Sequence, residues 1–192
     1  MTTQITTAAG TDVGVDIDGD DALARRAATD LRAFSPLYTR HVDRVYRYLR
    51  SRGQAPEDAA DLTAVAFERA IVGIRRYESR GAGFAGWILR IARNAAIDAE
   101  RRRRPTVAID DLPDGDHPAS TQSAETTALA AEERRELAAR LARLRPLERD
   151  AIALRYAGGL TSAQIGAVIG KSEAATKKLL TRSLATLREE TR

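Results

Sequence analysis

Two sets of side chains in this sequence have the types and spacing to act on an anionic partner. The first lies in the stretch FAGWILRIARNAAIDAERRRRP, residues Phe84 to Pro105. Arg90, Arg93, Asn94, Asp98 and Arg101 fall on one side of a helical period, and Arg101, Arg102, Arg103 and Arg104 follow without a break. Guanidinium forks donate in pairs to phosphate oxygens and guanine edges, and an asparagine amide pairs with adenine. The second set is Glu173, Ala174, Lys177, Lys178, Thr181 and Arg182, spaced to share the outer face of a helix that Ser172 would cap. Lysine and arginine on such a face neutralise phosphates or reach base acceptors in a major groove.

Nothing else in the chain is arranged for chemistry. There are no cysteines, so disulfides, thiolate metal sites and thiol redox sensing are excluded. The two histidines, His41 and His117, are far apart, and neither sits in a metal-ligand pattern. No serine–histidine–acid set and no GxxxxGK loop occurs, and the pair Asp110-Asp111 lies in a polar stretch with no core to shift its pKa values. A non-enzymatic protein without metal or cofactor is expected.

The elements that hold the two sets are helical. Leu, Ala and Arg dominate and β-branched alternation is nearly absent, so an all-α fold is expected. In the first stretch Phe84, Trp87, Ile88, Ile91, Ala92, Ala95 and Ala99 form one apolar stripe, on a rod of about 31 Å at ~1.5 Å per residue. Trp87 belongs to that packing stripe. An earlier helix is expected from Ser35-Pro36, with Leu37, Val42, Val45, Tyr46 and Leu49 inward and Arg40, Arg44, Arg47 and Arg50 as a solvated face. The next opens at Pro56-Glu57-Asp58 and packs Leu62, Val65, Ala66, Ala70 and Ile74. Between it and the arginine helix lies the glycine-rich loop from Tyr77 to Gly83. Its flanking aromatics, Tyr77 and Phe84, either close a core or stack on an unpaired base.

Charge divides the chain into four blocks. Residues 1–24 carry five acids and no Lys or Arg, and read as a disordered acidic tail. Residues 25–104 form a basic helical bundle. Residues 105–133 carry seven acids and no Lys or Arg, and read as a flexible linker. Residues 134–192 are basic again. In this last block Leu144-Arg145-Pro146 restarts a helix that stops at Gly158-Gly159. Thr161 and Gln164 then form a capping box, Gly170 turns the chain, and Leu180, Leu184 and Leu187 of the final helix pack inward. A short helix, a glycine turn and a polar-faced second helix make a helix-turn-helix. No apolar run approaches the ~20 residues that span a bilayer, and the N-terminal stretch has no apolar h-region, so a cytoplasmic chain is expected.

Two blocks together resemble regions 2 and 4 of bacterial RNA polymerase sigma factors of the extracytoplasmic-function (ECF) group. They are LYTRHVDRVYRYLRSRGQAPEDAADLTAVAFERA continuing through FAGWILRIARNAAIDAERRRR, and LARLRPLERDAIALRYAGGLTSAQIGAVIGKSEAATKKLLTRSLATLRE. The resemblance implies a two-domain initiation factor that binds core RNA polymerase and promoter DNA. It places the polymerase contact on Glu57, Asp58, Asp61, Leu62, Phe67 and Glu68. It gives reading and melting of the minus-ten element to Tyr77, Arg80, Arg90, Arg93, Asn94 and Arg101 to Arg104, with a flipped base held in the loop. The minus-thirty-five element falls to the helix after Ser172, and an anti-sigma protein is an expected partner. This chain departs from the family's usual Gln-Glu-x-Phe with Ala64-Val65-Ala66-Phe67, and in the last helix it has Ala175 and Leu179 where a threonine and an arginine are usual. A helical adaptor whose charges serve only solvation is the opposed reading. Neutralising Arg90, Arg93 and Arg101 together separates the two: promoter opening, followed by permanganate reactivity of unpaired thymines, is lost for an initiation factor and unaffected for an adaptor.

Overall fold

The computed structural model describes residues 17–103 and 139–189, and every regular element among them is helical. Helix α1 (Ile17–Ala27) overturns part of the expected tail, since the acidic stretch is ordered from Ile17 onwards. From Gly19 onwards its fully inward apolar residues are the small Ala24 and Ala27, joined by the buried carboxylates of Asp20 and Asp21. An apolar stripe that weak is not legible as a helix, because half of its inward face is charged. The acids occupy its N-terminal half and Arg25 and Arg26 its last turn, which suits the helix dipole at both ends.

A single 3-10 turn, Leu31–Ala33, leads into α2 (Phe34–Ser51). The helix begins one residue before Ser35, and the Phe34 N–H is satisfied by the carbonyls of Leu31 and Arg32 in that turn. Helix α2 buries Phe34, Leu37, His41, Val45, Tyr48 and Leu49. Helix α3 (Pro56–Gly73) starts with proline at its first turn and two acids beside it, and buries Ala59, Leu62, Thr63, Ala66, Phe67 and Ala70. A second 3-10 turn, Ile74–Arg76, and a loop at 77–82 precede α4 (Gly83–Arg103). Phe34 meets Phe67 and Phe84 edge to face, at ring separations of 6.3 and 6.2 Å, which locks α2, α3 and α4 around one core.

After residue 138 the chain is helical at 139–143, then in α5 (Pro146–Tyr156), α6 (Ser162–Ile169) and α7 (Glu173–Glu189). Helix α6 opens with the expected reciprocal cap. The Thr161 N–H donates to Gln164 Oε1 at 2.9 Å and the Gln164 N–H to Thr161 Oγ1 at 3.3 Å. Gly170 ends it at φ 72°, a left-handed conformation that glycine adopts at little cost. Ser172 Oγ then accepts from the Ala175 N–H at 3.2 Å and starts α7. The linker at 105–133 and the helical resumption near Ala124 lie outside the described residues.

The two helical groups are docked rather than separate. Leu89 of α4 is fully buried, and a β-carbon on Gly158 would stand 3.0 Å from its Cδ1. Val168 of α6 lies over Gly86, at the start of α4. Helix α4 is therefore covered by α1, α2 and α3 along one side and by the second domain along another.

His41 provides a pH probe of this core. Burial lowers its pKa below the usual 6.5, against an opposing hydrogen bond from Nε2 to Asp20 Oδ2 at 2.7 Å. A neutral ring donating from Nε2 and accepting at Nδ1 from Arg44 Nη1, 3.1 Å away, satisfies both nitrogens. The folded state thus binds this proton less readily than the unfolded chain. Its contribution to stability is complete above pH 6.5 and is lost as pH falls below that value towards the lowered one. Urea midpoints at pH 7.5 and 5.5 should show this loss, and His41→Gln should reduce the difference.

Candidate nucleic-acid interface

Helix α4 positions its charged face by packing the rest of itself away. Phe84, Ile88, Leu89, Ala92, Ala95 and Ala96 are buried, while Asn94, Asp98, Arg101, Arg102 and Arg103 are exposed and Arg90 is half-buried. Acids and a backbone carbonyl hold cations on and beside this face. Arg103 pairs with Asp58 of α3, Arg69 reaches Asp98 at 3.1 Å, and the Arg102 Nε donates to the Asp98 carbonyl at 3.3 Å. Arg80, in the loop, pairs with Glu78 at 2.7 Å, and both are well exposed. Exposed pairs of this kind contribute little and exchange readily for phosphate. Arg104 lies outside the described residues.

Arg93 is different. Its Nε donates to Asp150 Oδ2 of α5 at 2.6 Å, and Arg52 approaches Asp150 Oδ1 at 2.8 Å. Asp150 is only 2% exposed and Arg52 7%. Arg52 also meets Glu100 at 3.0 Å and donates to the Tyr48 hydroxyl at 3.4 Å, and burial raises the pKa of that phenol. Arg93 was expected to face DNA, but in this arrangement it is half-buried in an ion cluster between the domains. Its period along α4 was legible; its partner, 57 residues away, was not.

The loop between residues 77 and 83 forms one side of a cleft of about 220 Å³, together with Trp87 and Arg90. Ala167 and Val168 of α6 make its other wall. Gly81 and Gly83 have φ of 73° and 62°, so the loop turns sharply at its α4 end. Tyr77 does not present its ring to the cleft as a free stacking surface. It is 9% exposed, its hydroxyl donates to Asp21, and its ring stands edge-on to Trp87 at 5.2 Å. Burial, and next the bond to Asp21, push the phenol's pKa up, so it stays a donor. Trp87, assigned from the sequence to core packing, is half-buried and lines the cleft.

In the helix-turn-helix, Ser172, Glu173, Ala174, Lys177, Lys178, Thr181 and Arg182 are all exposed, and Thr176 and Leu180 are buried beneath them. Glu173 pairs with Lys177 at 2.6 Å, one turn along. The α3 set is split. Glu57, Asp61 and Glu68 are exposed, but Leu62 and Phe67 are core residues at 7% and 3% exposure and offer no side chain to a partner. The apolar surface actually exposed on that side is Val72, at 84%, with Ile71 and Tyr38. No group of acids and histidines among the described residues could hold a metal ion.

Residues 37–106 match the family model for sigma-70 region 2, and residues 134–187 match that for sigma-70 region 4. The chain is 34% identical over 157 residues to the RNA polymerase sigma factor CarQ of Myxococcus xanthus, covering 82% of this chain and 88% of CarQ. It is 32% identical over 169 residues to the ECF RNA polymerase sigma factor BldN of Streptomyces coelicolor, covering 87% of this chain. This chain belongs to the ECF sigma factors. It spans 63% of the length of BldN. Among solved structures it is similar to CnrH in complex with the cytosolic domain of CnrY, with a TM-score of 0.70 and 26% identity over 91% of this chain and 97% of that one. Region 2 of the sigma factor thus contains α2 to α4 and the cleft loop, and region 4 contains α5 to α7.

The residues that sequence reasoning missed are the buried acids Asp20, Asp21 and Asp150. The signal that marks Asp150 is an acid set immediately before the apolar run Ala151-Ile152-Ala153-Leu154. Removing it leaves two guanidinium groups facing each other across a closed interface, a change that costs about 3–5 kcal/mol for buried pairs. Asp150→Ala should therefore release region 4 from region 2, seen as a larger radius of gyration by X-ray scattering with helical circular dichroism retained. An unchanged radius would assign the docking to the Leu89–Gly158 and Val168–Gly86 contacts alone.

Proposed function

We propose that this sigma factor binds core RNA polymerase, recognises minus-ten and minus-thirty-five promoter elements, and promotes DNA melting at the start of transcription. The observation that carries this reading is the pairing, in one chain and in order, of the region 2 and region 4 matches with an arginine-bearing α4 and an exposed α7. We assign the two functional units to residues 25–104 and 134–192, joined by the acidic segment 105–133, in a cytoplasmic protein that is not an enzyme. Arg80, Arg90, Asn94, Arg101, Arg102, Arg103 and Arg104 would contact the minus-ten strands, with Arg93 joining them once it leaves Asp150. Ser172, Glu173, Ala174, Lys177, Lys178, Thr181 and Arg182 would enter the major groove of the minus-thirty-five element. The polymerase contact would use exposed Glu57, Asp61 and Glu68, with Asp58 at its edge.

The division of labour follows from the physics. Extracting a base costs a few kcal/mol, which stacking in the cleft and arginine–phosphate contacts must offset. Two reading heads on one chain raise each other's effective concentration once both lie on a single duplex, whereas each alone binds weakly. In the docked form α6 walls the cleft and Asp150 occupies Arg93, so engagement of both elements requires region 4 to move away from α4. An anti-sigma partner that favours the docked form would keep the factor silent. The CnrH structure, in complex with the cytosolic domain of CnrY, supports a protein partner for this chain.

Reconstitution with core RNA polymerase tests the reading. Co-elution on gel filtration and a promoter-dependent transcript are expected. A chain that neither co-elutes with the polymerase nor directs a transcript from any minus-ten/minus-thirty-five template is not an initiation factor.

A further inference from the structure

We propose that Asp21 is a positioning residue for base capture: a single carboxylate oxygen on α1 ties down both ends of the loop that forms the cleft. The inference rests on the reading of that loop as the site that receives an unpaired base.

Asp21 Oδ1 accepts the hydroxyl proton of Tyr77, where the loop leaves the 3-10 turn. The same oxygen accepts the Phe84 N–H at 3.0 Å, where the loop enters α4. These partners stand 56 and 63 residues from Asp21 in sequence, so the bond is a tertiary device and not a local turn. The Phe84 N–H belongs to the first turn of α4, where no intrahelical acceptor exists, and a carboxylate there is favoured by the helix dipole. Asp21 is 6% exposed, so water does not substitute for it. Its own position is fixed by its neighbour: Asp20 takes Arg40 Nη1 and His41 Nε2, each at 2.7 Å, and so holds α1 on α2.

The effect reaches the cleft through one ring. Tyr77, oriented by Asp21, stands at 78° to Trp87, and Trp87 forms the cleft wall beside Arg90. The residues between the two anchors include Arg80, Gly81 and Gly83. Gly81 is exposed, with nothing within 4 Å of a β-carbon placed there, and the Arg80–Glu78 pair within the tip is also exposed. A loop pinned at both ends presents Arg80 and the Trp87 wall in one geometry before the base arrives, and the ordering cost of binding is correspondingly reduced.

The test uses the full chain with core polymerase and two variants, Asp21→Asn and Tyr77→Phe. Tyr77→Phe keeps the ring and removes only the donor. Opening is read from the fluorescence of 2-aminopurine placed at the minus-ten element, polymerase affinity by gel filtration, and folding by thermal circular dichroism. Both variants are expected to open the promoter about ten-fold more slowly, the equivalent of losing one hydrogen bond to a charged group. Polymerase affinity and binding to a minus-thirty-five duplex should match the parent. Affinity for a single-stranded minus-ten oligonucleotide on the holoenzyme should fall with opening. Opening at the parental rate in both variants, below their melting temperatures, would overturn the proposal. So would a parallel loss of polymerase affinity, which marks a role in stability alone. Failure of the parent chain itself to open any promoter would instead remove the functional reading beneath it.

Discussion

Helix α4 has to satisfy three demands at once, and the rest of the molecule is arranged around them. One side must complete the core of region 2, a second must receive region 4, and a third must stay wet and cationic. Small residues make this possible. Ala92, Ala95 and Ala96 let neighbouring helices approach closely, so Phe34, Phe67 and Phe84 can fill the space between them. Leu89 is left to serve the second contact. The arginines then occupy what remains of the circumference. A helix of this length is stabilised chiefly by such packing and not by its own propensity.

Among the described residues the core also contains three buried acids, Asp20, Asp21 and Asp150, and each meets two partners, by hydrogen bonds at Asp20 and Asp21 and by a hydrogen bond and an ion pair at Asp150. Asp20 takes Arg40 and His41, Asp21 takes Tyr77 and a backbone N–H, and Asp150 takes Arg52 and Arg93. A buried carboxylate without partners is prohibitively costly, and even a paired one adds little net stability over an apolar substitute. What such groups add is geometry. Asp20 sets where α1 lies, Asp21 sets the loop before α4, and Asp150 sets how region 4 meets region 2. The contacts that define the functional surfaces are therefore polar and directional, laid over a core that is otherwise apolar and tolerant.

The docked arrangement decides what the sigma factor exposes. With α6 against Gly86 and Asp150 on Arg93, the cleft is walled and one of the cations of α4 is occupied. Both are closed by the same domain, so a movement of region 4 away from α4 would free both together. The interface mixes a short apolar contact with a buried ion cluster, and its ionic part has a ready substitute in DNA phosphate.

The sequence by itself determined what depends on near neighbours. The 3.6-residue period placed α2 to α4, Pro56 and Pro146 opened helices, Thr161 with Gln164 capped α6, and Gly170 turned the chain, because each of these signals acts within a few residues. The exposed face of α7 was legible for the same reason. Tertiary structure decided the rest. Tyr77 was open to closing a core or stacking on a base and is turned inward, while Leu62 and Phe67, which the resemblance placed at the polymerase contact, are core. The acidic segment from Ile17 looked structureless and is a helix holding two buried carboxylates. The deciding partners lie far along the chain, at separations such as 21, 56 and 63 residues. Periodicity reports which face of an element is apolar. It carries no information about which distant charge that face will meet, and in this protein those meetings set the cleft, the docked interface and the part of the arginine row left exposed.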